Sequence, residues 1–201
     1  MPWCSWSVIE PLPAAFEENA AAFQSERRRV SEKRRRVSSR TPPRFYGFAA
    51  LDAKNAVIMN VDHLNNILQK EEGLSRTLAM EFLSTPEPDT CMARMRVNHL
   101  NRQVFGFLSG GATLALCENL AGVGAMAIVK DKIAVGITVS GNHVRAVTEG
   151  DTVTALARLT HKGRTLHTWQ VDVTNEAGEL VSSVQVTNYI IAPHKDNKTG
   201  I

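Results

Sequence analysis

The longest apolar run of the chain constrains its fold more than any other feature. From Phe107 to Val129 it reads "FLSGGATLALCENLAGVGAMAIV", with Glu118 as its one charged residue. Ser109 is a good N-cap, and large apolar residues lie on nearly every face of the helix that would follow it. We therefore predict a helix from near Ser109 towards Val129 that is wrapped by a sheet instead of lying on a surface.

Segments rich in β-forming residues supply that sheet. The amphipathic segment "NVDHLNNILQKE" predicts a short helix soon after Met59, and turn signals such as "HKG" and "NEAG" separate later segments. One long helix and about five mostly antiparallel strands indicate an α+β domain. The predicted strands lie in "CMARMRVN", "KIAVGITVSG", "DTVTALARLTH", "RTLHTWQVDVTN" and "ELVSSVQVTNYII".

The chain before Met59 differs in charge from the rest. Residues 1–58 hold 10 Lys/Arg and 6 Asp/Glu, a net charge of +4, whereas residues 59–201 hold 13 and 14, a net charge of −1. The stretch "SERRRVSEKRRRVSS" has the composition of an arm for nucleic acid or a membrane surface, or of a solvated tail. We expect a basic, poorly ordered or non-native extension over residues 1–58, with no nucleic-acid or membrane partner, and a folded domain over residues 59–201.

The cysteines show neither a CxxC pair nor the spacing of metal ligands. Cys91 and Cys117 lie among apolar residues, where a reduced cysteine packs as a small hydrophobe. No uncharged run reaches the roughly 20 predominantly apolar residues of a membrane span. We expect a cytoplasmic protein without a metal site, a cofactor or a transmembrane segment.

The position of Glu118 is unusual for a charged residue. Its neighbours at three and four residues along the helix are Leu114, Ala115, Ala121 and Gly122, so no cation of the same helix can pair with it. Either another strand satisfies this carboxylate, or the carboxylate belongs to a site.

Three stretches resemble the hotdog-fold acyl-CoA thioesterases that use a helical glutamate. They are "FGFLSGGATLALCENLAGVGA", "VSGNHVRAVTEGD" and "HKGRTLHTWQVDVTNEAGELVSSVQVT". The resemblance extends over residues 59–192 and is closest to the bacterial 1,4-dihydroxy-2-naphthoyl-CoA hydrolases of menaquinone synthesis, which also resemble 4-hydroxybenzoyl-CoA thioesterases. It implies a hotdog fold, an antiparallel sheet around a long central helix, and hydrolysis of an aromatic acyl-CoA. It also implies homodimers, often paired into homotetramers.

The resemblance assigns catalytic roles to four residues. Glu118 matches the family's catalytic carboxylate, and Gln103 matches a glutamine ahead of the glycine pair. Ser109 stands where the family has a histidine. We therefore expect Ser109 to keep only the capping and hydrogen-bonding part of that residue's role. Thioester hydrolysis needs a carboxylate that attacks the carbonyl or activates water, together with donors for the developing oxyanion. The backbone N–H of Gly110 at the helix start, helped by Gln103, suits the second task.

These residues also have purely structural interpretations. Gly110 and Gly111 permit either close approach of a thioester or tight packing, and Gln103 is alternatively an ordinary loop residue. Gly110 and Glu118 are eight residues apart, which is roughly 12 Å along one helix. We therefore predict that Gly110 and Gln103 of one subunit act with Glu118 of another, as an antiparallel pair of helices at a two-fold axis permits.

Coenzyme A requires further polar groups. The segment "GNHVR" puts His143 and Arg145 on one face near a strand end, which suits the nucleotide's phosphates or adenine, or simply an exposed strand end. At the "HKGRT" hairpin, Arg164 and Thr165 suit a phosphate or a solvated turn. We predict that these four residues and Gly111 bind the substrate.

Two classes of function remain open. The first is an acyl-CoA thioesterase that uses Glu118 without a metal or a redox cofactor. The second is a non-hydrolytic acyl-CoA binding module or a hotdog dehydratase. A dehydratase usually needs a catalytic histidine, and a binding module tolerates loss of the carboxylate, so the presence of Glu118 with Gln103 favours hydrolysis.

Overall fold

The computed structural model describes residues 56–192, which form a six-stranded antiparallel sheet around a long helix. The strand order across the sheet is β1-β2-β4-β5-β6-β3. Nearly all of the predicted basic extension lies outside the described residues. The strands are β1 (Met80–Ser84), β2 (Thr90–Arg96), β3 (Ile133–His143), β4 (Thr152–Lys162), β5 (Leu166–Asn175) and β6 (Leu180–Ile191), and the helices are α1 (Asp62–Leu68), α2 (Leu74–Thr77) and α3 (Gly110–Ile128).

The central helix α3 has the predicted bounds, with Ser109 as N-cap residue and Val129 as C-cap residue. Its buried side includes Leu116 and Leu120, and it packs mainly against β3 and β6. By length and composition alone α3 would suit a membrane span, but the core helices of globular proteins meet the same test. The predicted arrangement of an antiparallel sheet wrapped around this helix is confirmed.

The strands alternate between a face that packs on α3 and a face that does not. In β5 the residues at positions 167, 169, 171 and 173 are buried, and the residues between them are not. All five predicted strands are present. The sixth, β1, was not predicted from the sequence, because only five residues form it; its register with β2 pairs Met80 with Met95 and Ser84 with Cys91.

Strand β3 lies at one edge of the sheet and is the most exposed of the strands. It pairs with β6 on one side only, and β1 occupies the opposite edge. Most of its residues are exposed, including Val135 and Ile137, whose exposed fractions are 41% and 55%. A long, exposed edge strand presents unpaired backbone donors and acceptors to another chain.

The first described residues are fixed to the domain. The Val57 N–H donates to Oδ1 of Asp89 at 3.0 Å, and the Asp89 N–H donates to the Val57 carbonyl at 2.7 Å. Met59 and Val61 are fully buried in the core. The folded part of the chain therefore includes at least one residue from the segment that we predicted to be an extension.

The buried cysteines fill space in the core. Cys91 and Cys117 are free thiols in the hydrophobic core, as their apolar sequence neighbours predict. Burial raises the pKa of both thiols to about 12, so neither is a thiolate near neutral pH.

Candidate functional site

The carboxylate of Glu118 lies over the edge strand. An ideal Cβ at Gly136 of β3 would lie 3.2 Å from Glu118 Cδ and closer still to Oε1. Glu118 is partly buried, and within residues 56–192 no hydrogen bond or ion pair holds its carboxylate. The contact needs a glycine at position 136, because any side chain there would occupy the space of the carboxylate.

A second group of predicted residues lines a pocket of about 400 Å³ near the start of α3. Gln103, Gly110, His143 and Arg145 all belong to its wall. Glu118 does not. The structure thus brings four of the predicted site residues together and keeps the predicted catalytic carboxylate apart from them.

The imidazole of His143 lies directly against the helix start. A Cβ at Gly110 would be 2.8 Å from His143 Nε2, so a side chain at this position would displace the ring. His143 Nδ1 is 2.8 Å from the Ser182 hydroxyl, which holds the other side of the ring. Tight packing is therefore a real function of Gly110, and it puts a titratable ring beside the free N–H groups of the helix start.

Gln103 and Arg145 frame the pocket from two loops. The Gln103 N–H donates to the Phe107 carbonyl at 2.8 Å, and the Gly106 N–H donates to the Gln103 carbonyl at 2.9 Å, which closes a tight turn. Gly106 has a φ of 80°, a conformation that favours glycine. Arg145 forms an ion pair with Glu179 at 3.5 Å. An incoming phosphate would therefore compete with Glu179 for this guanidinium.

Ser109 and Gly111 lie at the start of α3, and neither position shows a side-chain cap or a close contact that requires its residue type. Ser109 is the N-cap residue, but its hydroxyl makes no capping hydrogen bond, whereas its carbonyl accepts from the Thr113 N–H at 3.0 Å. The expectation that the Ser109 side chain caps the helix is wrong, because Ser109 acts as the N-cap residue through its backbone carbonyl and not through its hydroxyl. Gly111 is exposed, and a Cβ there would meet only the Ser109 hydroxyl oxygen at an ordinary 3.7 Å.

Arg164 and Thr165 lie in the β4–β5 connection, and both are exposed. The Thr165 carbonyl accepts from the Ile190 N–H at 2.8 Å near the end of β6. The pocket, in contrast, includes Ser182 near the start of β6. Arg164 and Thr165 are therefore separated from the His143 pocket by most of a strand.

The register of β3 and β6 gives the separation of the two parts of the site along these strands. Gly136 pairs with Asn188, and His143 pairs with Ser182. Six residues of β6 separate these pairs, which is roughly 20 Å of extended strand. We call the surroundings of Glu118 and Gly136 the carboxylate half-site, and the pocket of Gln103, Gly110, His143 and Arg145 the pocket half-site.

A row of buried polar side chains behind the carboxylate was missed from the sequence. Asn188 is 1% exposed and His167 is 3% exposed, and the two residues are register partners on β6 and β5. Among the described residues, neither Asn188 Nδ2 nor Oδ1 has a hydrogen-bond partner, and His167 Nδ1 has none either. A signal was present in "VQVTNYII", where the alternation of β6 puts Asn188 on the buried face.

The environment of His167 keeps its ring neutral. Burial lowers the pKa of His167, Lys162 and more distant cations lower it further, and a hydrogen bond to the Gly163 backbone opposes them. In a neutral imidazole one ring nitrogen donates and the other accepts, so the unbonded Nδ1 of His167 has hydrogen-bonding capacity in either tautomer.

Comparisons with known proteins agree with this architecture. A family model described as the thioesterase superfamily matches residues 105–182. The chain is 45% identical over 94 residues to a relative from Deinococcus radiodurans that has only a general esterase name; the match covers 46% of this chain and 58% of that relative. It is 32% identical over 110 residues to the 1,4-dihydroxy-2-naphthoyl-CoA hydrolase of Listeria monocytogenes, covering 54% of this chain and 88% of that enzyme.

Among solved structures, the chain is similar to a thioesterase from Haemophilus influenzae, with a TM-score of 0.62 and 29% sequence identity. The superposition covers 69% of this chain and 94% of that one. The family match, residues 105–182, spans both the glycine pair and Glu118. The chain belongs to the thioesterase superfamily and has its hotdog fold.

Proposed function

We propose that the protein hydrolyses an acyl-CoA thioester to the free acid and coenzyme A, with Glu118 as the catalytic carboxylate. The observation that carries this proposal is the contact of Glu118 with Gly136: a carboxylate that has no partner in the described part of the chain lies at the open edge of the sheet. A carboxylate that was only structural would be expected to have a charged or hydrogen-bonding partner.

The pocket half-site suits the rest of the chemistry. The Gly110 N–H at the positive end of α3, with the Gln103 amide, would donate to the oxygen on which charge develops. His143 and Arg145 line the same pocket and suit the anionic, hydrogen-bonding nucleotide part of coenzyme A. The carboxylate half-site then supplies Glu118, which attacks the carbonyl carbon or removes a proton from the attacking water.

The two half-sites cannot serve one carbonyl within one chain, because it must lie about 3 Å from both the attacking group and the oxyanion donors. Antiparallel pairing of β3 with β3 of a second copy, about a two-fold axis near the middle of the strand, would join each pocket half-site to the other copy's carboxylate half-site. The exposed edge of β3 provides the backbone groups for this pairing. The result is a homodimer with two equivalent shared sites, which can pair again into a homotetramer.

The proposed substrate is an aromatic acyl-CoA, and 1,4-dihydroxy-2-naphthoyl-CoA of menaquinone synthesis is the first candidate. Support comes from the name of the Listeria monocytogenes relative, whereas the Deinococcus radiodurans relative has no substrate in its name. Thiol release should be measured across a panel of aromatic and aliphatic acyl-CoAs. A preference in kcat/KM for aliphatic chains would remove the aromatic assignment and leave the hydrolase assignment intact.

Mixing two inactive variants tests the shared site. Glu118→Gln keeps the shape of the side chain but removes the base or nucleophile, so binding should persist while turnover falls by several orders of magnitude. In a heterodimer of Glu118→Gln with Gln103→Ala, one shared site contains both substitutions. The other shared site contains neither, so it is intact. Co-refolding should therefore restore up to about a quarter of wild-type activity, because half of the dimers are mixed and each has one intact site of two.

The control is each variant refolded alone, with native mass spectrometry to count mixed dimers. If mixed dimers form and activity remains at the level of the single variants, the two groups act within one chain. If Glu118→Gln turns over at nearly the wild-type rate, Glu118 has no part in the chemistry.

A further inference from the structure

We propose that Asn188 is a positioning residue for Glu118, with its amide N–H directed towards the Glu118 carboxylate. This inference rests on the proposed role of Glu118 in hydrolysis. It concerns the buried row behind the carboxylate half-site, none of whose side chains belongs to the pocket half-site.

The first step is the location of Asn188. It is the register partner of Gly136, and Gly136 is the residue over which the Glu118 carboxylate lies. Side chains of register partners on one face of a sheet are about 5 Å apart at Cβ. Because Gly136 has no side chain, the Glu118 carboxylate takes the place of a side chain beside Asn188 in this row. The amide reaches the carboxylate directly after a rotamer change, or through one bridging water.

The second step is that the Asn188 amide has free hydrogen-bonding capacity. Both of its side-chain polar atoms are buried, and neither is bonded to any residue that the structure describes. The neighbouring inward-facing residues of β6 are Val186 and Ile190, so the strand presents apolar side chains on either side of Asn188. An asparagine among these side chains is unfavourable unless a polar group uses it.

The third step concerns the orientation of the amide. A carboxylate only accepts hydrogen bonds. The amide nitrogen of Asn188, with two N–H groups, is therefore the end that suits Glu118. His167, the register partner of Asn188 on β5, has a buried Nδ1 without a partner among the described residues, so it does not compete as a bonded neighbour. The donor end of the amide then holds one oxygen of Glu118, which leaves the other oxygen for the substrate or the attacking water.

The test uses substitutions of Asn188 in the full chain. Asn188→Leu has nearly the same size and no donor, and Asn188→Asp has the same shape and, when ionised, acceptors alone. We expect Asn188→Leu to lower kcat by about 10- to 100-fold with little change in KM, as for a misplaced catalytic group. At a pH where both carboxyl groups are ionised, Asn188→Asp should lower kcat further, because two carboxylates repel each other.

Thr187→Val is the matched control. Thr187 is the next residue of β6, it points to the opposite face, and valine has the same shape. This variant should keep both kcat and KM. Wild-type kcat in Asn188→Leu would overturn the proposal, since leucine cannot donate to a carboxylate, and so would an equal loss in Thr187→Val.

A second measurement does not depend on turnover. The melting temperatures of wild type, Asn188→Leu, Glu118→Gln and the double variant form a cycle. If Asn188 holds the carboxylate, the shifts are not additive, because the second change removes an interaction that the first has already broken. Additive shifts would overturn the inference. If the wild type hydrolyses no thioester but the cycle is not additive, the proposed function fails and the positioning contact stands.

Discussion

Gly136 is the position at which a small change should separate activity from folding. A methyl group at this position would lie 3.2 Å from Glu118 Cδ and closer to Oε1. The clash involves the end of a flexible side chain and no backbone, so the strand can keep its place. The carboxylate must withdraw by roughly 1 Å, and a misplacement of that size in an active site costs about 100-fold in rate.

We therefore expect Gly136→Ala to fold with a melting temperature near that of the wild type and to lose about 100-fold in kcat. Thiol release at saturating substrate measures the rate, and calorimetry measures the melting temperature. Gly122→Ala is the matched control, because Gly122 is one turn from Glu118 on α3 and a Cβ there meets nothing within 4 Å among residues 56–192. It should keep its activity and gain about 0.5–1 kcal/mol of stability as alanine replaces a helical glycine. A Gly136→Ala variant that is folded and fully active would show that the observed place of the carboxylate is not the catalytic one.

Three further variants test the site and its supports. Ser109→Ala should change the free energy of unfolding by less than about 0.5 kcal/mol, because the hydroxyl caps nothing; a rate loss as large as that of Glu118→Gln would instead give Ser109 a chemical role. His167→Gln should reduce the loss of melting temperature between about pH 7 and pH 5: a histidine with a lowered folded pKa contributes full stability above its ordinary value of 6.5 and loses it as pH falls through the folded pKa. An unchanged pH dependence would contradict this. A chain that begins at Met59 should remain active but be less stable, by about 1–3 kcal/mol, than one that begins at Ala56, because it lacks both hydrogen bonds of Val57; equal melting temperatures, or loss of activity, would refute one part of this prediction.

The fold could be predicted because its strongest signals are local. The apolar run around Glu118 gave the bounds of α3 to within a residue, and the alternation in "DTVTALARLTH" gave β4. Strand β1 has only five residues, and its pairing with β2 across the turn after Ser84 is a tertiary contact that periodicity does not report. Short strands are formed by their neighbours in the sheet, so a single sequence carries little record of them.

The candidate site could be predicted in part. Spacing along α3 was enough to separate Gly110 from Glu118, and the structure does put them in different surroundings. The contact between Glu118 and Gly136 could not be predicted, because it depends on the crossing of helix and strand. Asn188 could be recognised in the sequence as a polar residue on an apolar strand face. Its relation to Glu118 could not, because that depends on the register partner of Asn188, which is Gly136.

Two glycines explain how this chain accommodates its functional side chains. At Gly110 a histidine ring from β3 takes the space of a Cβ on the helix, and at Gly136 a carboxylate from the helix takes the space of a Cβ on β3. The two contacts link α3 and β3 at places roughly 20 Å apart along the sheet. Each half-site is thus held by the same pair of elements, so any shift of α3 along β3 disturbs both of them. That coupling is a physical reason for a rigid, tightly packed helix in the middle of the sheet. A shared active site therefore depends more on the relative placement of α3 and β3 than on any single loop.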